Sequence, residues 1–116
     1  MKTQPFKGFS KSKIDYVVNA VALEQVKAGA EDKCLSIAFN KLKSQRNNAE
    51  LDSMEMILLA RALKRLYVRL YKEYGEESFK KERQHLLNIA NKIDIARLQH
   101  QENNHPLKKH KKILTA

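Results

Sequence analysis

The sequence predicts an all-α fold, either a four-helix bundle or a three-helix core with one projecting helix. Apolar residues recur every three or four positions in four stretches, no stretch alternates convincingly with the period of two typical of a strand, and glycine or polar residues separate the stretches. With 116 residues, 42% of them hydrophobic, the chain is long enough for one domain with its own core. We assign the helical domain to residues 13–101, between a basic N-terminal arm (1–12) and a basic C-terminal tail (102–116).

The first helix is predicted from Lys13 to Ala28, because a long stretch with helical periodicity outweighs the modest helix propensity of its valines. Ser12 is the candidate N-cap, and Asp15 follows it in capping-box spacing. Gly29 is expected to end the helix. The apolar positions include Ile14, Val17, Val18, Val21, Ala22 and Val26.

The second helix is predicted from Glu31 to Gln45, and residues 44–48 are polar and indicate a loop. Its apolar stripe consists of Cys34, Leu35, Ala38, Phe39 and Leu42. Because Cys34 belongs to this stripe, we expect a small buried thiol and not a nucleophile. A single cysteine also excludes an internal disulfide, which favours a reducing compartment, cytosolic or nuclear, and of these we expect a cytoplasmic location.

The third helix has the clearest pattern and is predicted to end at Tyr74 and to begin at one of two residues, Ala49 or Ser53. Its N-cap is one of two polar residues, Asn48 or Asp52. The second of these has capping-box spacing with Glu55. Large apolar residues recur at alternating steps of three and four, as in a packed helix or a coiled-coil seam, at Met56, Leu59, Leu63, Leu66 and Leu70.

The fourth helix is predicted from Glu77 to Gln101, with acidic residues at an N-terminus where the helix dipole favours negative charge. Its stripe consists of Phe79, Leu86, Ile89, Ile93 and Ala96. Because only a short connection around Gly75 separates the third and fourth helices, we expect them to form an antiparallel hairpin. Both are longer than the first helix, and the apolar surface they leave uncovered motivates a homodimer hypothesis.

The positive charge is distributed unevenly along the chain. The net charge is +10, from 23 Lys and Arg against 13 Asp and Glu. Lysines are concentrated at the ends, at Lys11, Lys13, Lys108, Lys109, Lys111 and Lys112. On the third helix, five cations fall within an arc of about 140° around the helix axis, and no acidic residue lies between the first and the last of them in the sequence. They are Arg61, Lys64, Arg65, Arg69 and Lys72. This stripe predicts contacts to a phosphate backbone, or it is a solvated face whose long side chains cover apolar surface.

Two more specific nucleic-acid motifs receive weaker support. A helix-turn-helix needs a turn of about three or four residues and a second helix whose start reaches base edges. The predicted loop here is longer, and the third helix starts with acidic residues, Glu50, Asp52 and Glu55.

Three tyrosines have helical spacing that suits stacking on unpaired bases, although such residues more often form the rim of a core: Tyr67, Tyr71 and Tyr74.

Residues that would support catalysis or metal binding are few. Glu82 and His85, and likewise Glu102 and His105, have the Glu-x-x-His spacing of a di-metal site. Such a site also needs glutamates from other helices, and Pro106 interrupts the second pattern, so we expect no metal. The sequence contains no phosphate loop, Rossmann fingerprint or serine elbow, and no apolar run of about 20 residues. We therefore expect neither an enzyme nor a membrane protein.

The function that these features favour is a non-enzymatic, nucleic-acid-associated regulatory or accessory protein. It would bind phosphates through the basic stripe of the third helix and through both ends. The alternative is a helical protein-interaction module, an inhibitor or adaptor, whose basic face binds an acidic protein partner. A membrane-surface binder is a third hypothesis, but the apolar face of the third helix is needed for the core.

Overall fold

Four α-helices pack together as an all-α bundle in the computed structural model, which describes residues 3–28 and 33–103. The helices are α1 (Lys11–Ala28), α2 (Lys33–Gln45), α3 (Ser53–Tyr74) and α4 (Lys80–Asn103), with one 3-10 turn, Arg46–Asn48, after α2. The central helix is α3, which packs against each of the other three, while α1 also packs against α2. Over the described residues there is no strand beyond an isolated bridge between Thr3 and Leu51.

The core is built around the predicted stripe of α3. Met56, Leu59, Leu63 and Leu66 are buried, and Leu70 is half-buried against them. The facing helices contribute apolar residues at helical spacing, namely Ile14, Val17 and Val21 from α1, Leu35, Ala38, Phe39 and Leu42 from α2, and Leu86, Ile89, Ala90 and Ile93 from α4. The periodicity of the sequence therefore identified the buried face of all four helices.

The N-terminus of α3 is fixed by the capping box, which places its start at Ser53. The Asp52 Oδ1 atom accepts a hydrogen bond from the Glu55 backbone N–H at 2.8 Å, and Glu55 Oε1 accepts one from the Asp52 N–H at 2.9 Å. The buried Glu55 carboxylate also pairs with Lys41 of α2, with Oε2 and Nζ 2.7 Å apart. Glu55 thus completes the capping box of α3 and also joins α3 to α2.

Replacing Asp52 with alanine should lower the free energy of unfolding by about 1 kcal/mol, because the first turn of α3 loses a side-chain acceptor. Asp52→Ser is the matched control. Because serine retains an acceptor, this variant should lower the free energy of unfolding by only a few tenths of about 1 kcal/mol. Urea unfolding followed by circular dichroism measures both changes. Equal losses in the two variants would mean that the cap hydrogen bond does not stabilise the fold.

The start of α1 differs from the prediction, because Ser10 and not Ser12 caps it. The helix begins at Lys11; Ser10 Oγ accepts a hydrogen bond from the Lys13 N–H at 3.2 Å, and the Ser10 carbonyl accepts one from the Ile14 N–H at 3.0 Å. Asp15 is therefore not part of a capping box with Ser12. Its Oδ1 atom lies 2.5 Å from Arg46 Nη2 and ties α1 to the 3-10 turn.

The segment before α1 lies on the bundle. Phe6 is fully buried, and its ring meets the half-buried Phe9 edge-to-face with centroids 5.2 Å apart. Thr3 exchanges two backbone hydrogen bonds with Leu51, of 2.9 and 2.8 Å. Of the described part of the predicted arm, residues 3–12, the first eight therefore contribute to the core through Phe6, and the last two belong to α1.

The turn between α3 and α4 is longer than predicted, so α4 begins at Lys80 and not at Glu77. Both Gly75 and Phe79 have positive φ, 87° and 55°, a backbone region that is rare for a bulky residue. Arg83 holds the turn from inside: its Nε donates to the Ser78 carbonyl at 3.3 Å and its Nη2 donates to the Glu76 carbonyl. Phe79 consequently lies before α4 and is 46% exposed.

Two other residues that the prediction placed in apolar stripes are exposed in the structure. Cys34 is exposed, because the buried stripe of α2 starts at Leu35 and the preceding residue lies about 100° away around the helix. Val26 is 84% exposed, although it continues the periodicity of α1. The predicted buried thiol is therefore wrong. The start of α2 predicted at Glu31 lies outside the described residues, as do Lys108, Lys109, Lys111 and Lys112 of the tail.

Candidate nucleic-acid interface

The five predicted cations of α3 lie on its outward side, but the structure divides them into two groups. Lys64 Nζ lies 2.6 Å from Asp94 Oδ2 of α4, and Arg69 Nη1 lies 2.8 Å from Glu24 Oε1 of α1. The other three, Arg61, Arg65 and Lys72, make no ion pair within residues 3–28 and 33–103 and are exposed. We call these three residues the α3 row.

The α3 row is nearly straight because its members are separated by whole turns. At 100° per residue, Arg61, Arg65 and Lys72 fall within about 40° of one another. At 1.5 Å per residue, their backbone positions span about 16 Å along the axis. The row lies opposite the leucine stripe, since Arg61 and Arg65 each follow a buried leucine by two positions. The same periodicity therefore creates the core face and the basic face.

A groove of about 730 Å³ runs along this face of α3. Its lining includes all five cations of the stripe together with Val68 and two carboxylates, Glu24 and Glu73. Val68 lies between Arg65 and Lys72 and is 45% exposed. The groove combines an excess of positive charge with the aliphatic stems of long side chains, a surface suited to an anionic ligand with some apolar character.

The two flanking ion pairs also hold the bundle together. The side chain of Glu24 is 7% exposed and that of Arg69 is 20% exposed. Arg69 thus supplies the charge that compensates a buried carboxylate. It belongs to the groove lining, but its charge is already engaged with α1.

Replacing Arg69 with methionine should lower the free energy of unfolding by about 3 kcal/mol, because it leaves the Glu24 carboxylate buried without a cation. Glu24→Gln should cost less, since it leaves behind the more exposed partner, whose guanidinium can turn to solvent. Thermal and urea unfolding of both variants measure the difference between the two losses in free energy of unfolding. A larger loss for Glu24→Gln would contradict this account of the pair.

The remaining predicted contacts lie elsewhere on the surface. Lys11 is exposed at the start of α1, and Lys13 is half-buried with its Nζ 4.4 Å from the Phe9 ring centroid. Neither lines the groove on α3. The described cations of the predicted interface therefore lie partly inside and partly outside the groove on α3.

The three tyrosines differ in their environment. Tyr67 is half-buried, whereas Tyr71 and Tyr74 are exposed near the end of α3. Arg83 lies against the first two, with Cζ 5.6 and 5.2 Å from the ring centroids. The ring of Tyr74 meets that of Phe79 edge-to-face at 5.0 Å. No pattern in the sequence pointed to Arg83, which is almost completely buried and makes the contacts that hold this end of the hairpin.

The region between α2 and α3 has little in common with a helix-turn-helix. Residues 46–52 separate the two helices, a connection longer than the turn of about three or four residues that the motif needs. The first turn of α3 carries the buried Glu55, already engaged with Lys41. Both observations argue against base-reading contacts at the start of α3.

The Glu82 and His85 pair on α4 is engaged with α1. The Tyr16 hydroxyl donates to the Glu82 carbonyl at 3.2 Å, and the Tyr16 and His85 rings meet edge-to-face with centroids 4.5 Å apart. Burial, and secondarily the negative charge of Glu82, raises the pKa of Tyr16, so its hydroxyl remains a donor. In the described ranges, no three His, Cys, Asp or Glu side chains group as a metal site requires.

Comparison with known proteins adds no relative. No protein-family model, no curated protein and no solved structure matches this chain. In the described parts of the chain, no helix has the length and apolar character to cross a membrane. The surface chemistry of the bundle, above all the α3 row and its groove, is therefore the basis for a functional proposal.

Proposed function

We propose that this chain is a non-enzymatic, nucleic-acid-associated regulatory or accessory protein that binds a phosphate backbone along α3. The observation that supports this most is the α3 row. Arg61, Arg65 and Lys72 are exposed, aligned and without an acidic partner in residues 3–28 and 33–103. Cations that have no protein partner are free to replace the counterions condensed on a polyanion.

The geometry favours contacts to phosphates over contacts to bases. The row extends about 16 Å along one helix, long enough for successive phosphates of a backbone. A helix that lies with its side along the backbone positions a protein but reads no sequence. The two paired cations, Lys64 and Arg69, border the row, so the nucleic acid would be held mainly by three side chains of α3.

The first test is the salt dependence of binding. The affinity of the full chain for a labelled duplex or single strand should fall steeply between 50 and 500 mM salt, as measured by fluorescence anisotropy. The expected contribution of three phosphate contacts on duplex DNA is a slope of about −2.7 in log K against log salt concentration. Affinity that stays constant over this range would refute the proposal.

An acidic protein partner is the second candidate, and the exposed Val68 favours it. An apolar residue in the middle of a basic row suits an acidic amphipathic segment, whose apolar side chains would cover Val68 while its carboxylates meet Arg65 and Lys72. Recovery of a partner on the full chain before and after nuclease treatment separates the candidates. A partner that is retained after complete digestion favours the adaptor function.

We also propose a homodimer and a cytoplasmic location. The apolar residues Ile95 and Leu98 are exposed on α4, and a second copy would remove them from water. Light scattering at micromolar concentration tests the dimer, and only monomer would reject it. The exposed Cys34 thiol is compatible with a reducing compartment, which localisation of a tagged chain by microscopy tests directly.

A further inference from the structure

Two lysines from different helices meet on one aromatic ring, away from the α3 row. Lys13 of α1 places its Nζ 4.4 Å from the Phe9 ring centroid, and Lys92 of α4 places its Nζ 5.7 Å from the same centroid. Phe9 itself packs on the core through Phe6. Both ammonium groups thus lie against one half-buried ring.

The two ammonium groups are close enough to disfavour each other's charge. Contact with the Lys92 side chain, followed by partial burial and by the charge of Lys92, lowers the pKa of Lys13 below its ordinary value. Like charges within a few ångströms have this effect. An anion bound between the two ammonium groups would therefore reduce the repulsion between them.

No described acid supplies that anion. Asp15, the nearest acidic residue along α1, is engaged by Arg46 at 2.5 Å, and the first turn of α1 contains no acidic residue. Neither Lys13 nor Lys92 forms an ion pair with any residue in the described ranges. The N-terminus of α1, which begins at Lys11, adds the positive end of its dipole.

We propose that Lys13 and Lys92 form a phosphate-binding site in which both ammonium groups donate to one phosphate group. The phosphate belongs either to a nucleic acid backbone or to a free phosphate or monoester. The site goes beyond the proposed function of α3, because it would bind a phosphate whether or not the α3 row binds nucleic acid. If both surfaces bind the same nucleic acid, the pair supplies a second point of attachment from α1 and α4.

A second lysine on a phenylalanine gives a matched control. Lys43 Nζ lies 4.8 Å from the Phe39 ring centroid. It has the same charge and the same kind of aromatic contact as Lys13, but it is not part of the Lys13 and Lys92 pair. A phosphate should therefore distinguish Lys13 from Lys43.

The test is nuclear magnetic resonance of the full chain with isotope-labelled lysines. Inorganic phosphate, added at constant ionic strength against sodium chloride, should shift the Lys13 and Lys92 side-chain signals in a saturable way and raise the pKa of Lys13. The Lys43 signals should move no more than in sodium chloride. Lys92→Gln should raise the Lys13 pKa without phosphate and weaken phosphate binding about tenfold, as expected for a lost charge-assisted hydrogen bond.

Two arms identify the source of the phosphate. Saturable shifts with inorganic phosphate but not with an oligonucleotide lacking terminal phosphates assign the site to free phosphate or monoesters, and the reverse assigns it to the backbone. Shifts with neither probe, or equal shifts at Lys13 and Lys43, overturn the site. These outcomes do not depend on the α3 row. The proposal for the row would fail if substitution of Arg61, Arg65 and Lys72 left nucleic-acid binding unchanged.

Discussion

Replacing Phe6 with alanine should lower the free energy of unfolding by about 3–5 kcal/mol, one of the largest losses available to a single substitution in this chain. Phe6 is fully buried, contacts Phe9 and belongs to the same cluster as the leucines of α3. Its removal leaves a cavity in the core in addition to the lost transfer free energy. Urea unfolding, with the slope and midpoint fitted for each variant, measures the loss.

Phe79→Ala is the matched control, because it deletes the same atoms from a ring that is 46% exposed. It should cost about 1 kcal/mol, mainly from the contact with Tyr74. Phe6→Leu should recover most of the stability by refilling the cavity. If Phe6→Ala and Phe79→Ala cost the same, residues 3–10 do not pack on the bundle in solution.

The position of Phe6 illustrates where the sequence pattern loses information. Lys2, Lys7 and Lys11 make residues 1–12 polar and basic, and two phenylalanines without helical periodicity give no face to assign. Their segment is joined to the bundle by the bridge between Thr3 and Leu51, residues that are 48 positions apart in the chain. A non-local pairing of this kind leaves no periodic signal in either segment.

The helices themselves were predictable because their signals are local. The capping box of Asp52 and Glu55 and the leucine stripe of α3 lie within one continuous stretch, and the structure confirms both. The Ser12 cap was wrong because Ser10 offers the same chemistry two residues earlier. The buried Cys34 was wrong because a stripe defined by periodicity is uncertain by one position at its end.

The candidate site was predictable as a face but not in its detail. The spacing places five cations on one side of α3, and the groove contains all five. Which of them are free depends on Glu24 of α1 and Asp94 of α4, acids that no pattern within α3 reveals. The arrangement of neighbouring helices therefore reduces a stripe of five to a row of three.

Replacing Arg61, Arg65 and Lys72 together with glutamine should weaken nucleic-acid binding on the order of a hundredfold at 0.1 M salt and remove about 2.7 from the salt slope on duplex DNA. The loss should be similar for unrelated sequences, because phosphate contacts carry no base information. The stability of the bundle should hardly change, since the three side chains are exposed and make no ion pair with described residues. Fluorescence anisotropy at several salt concentrations, with unfolding curves of the same samples, measures both quantities.

A control triple that removes the same net charge elsewhere separates local binding from general attraction. Lys33, Lys43 and Lys81 are exposed on α2 and α4 and lie outside the groove. Glutamine at these three positions lowers the net charge by the same amount as the substitutions in the α3 row. Any effect of net charge on the rate of association should therefore be the same in both triple variants. Because counterion release requires cations at the contact, only the row variant should lose the steep salt dependence. Equal losses would show that nucleic acid binds this protein through its overall charge, and that α3 is not the interface.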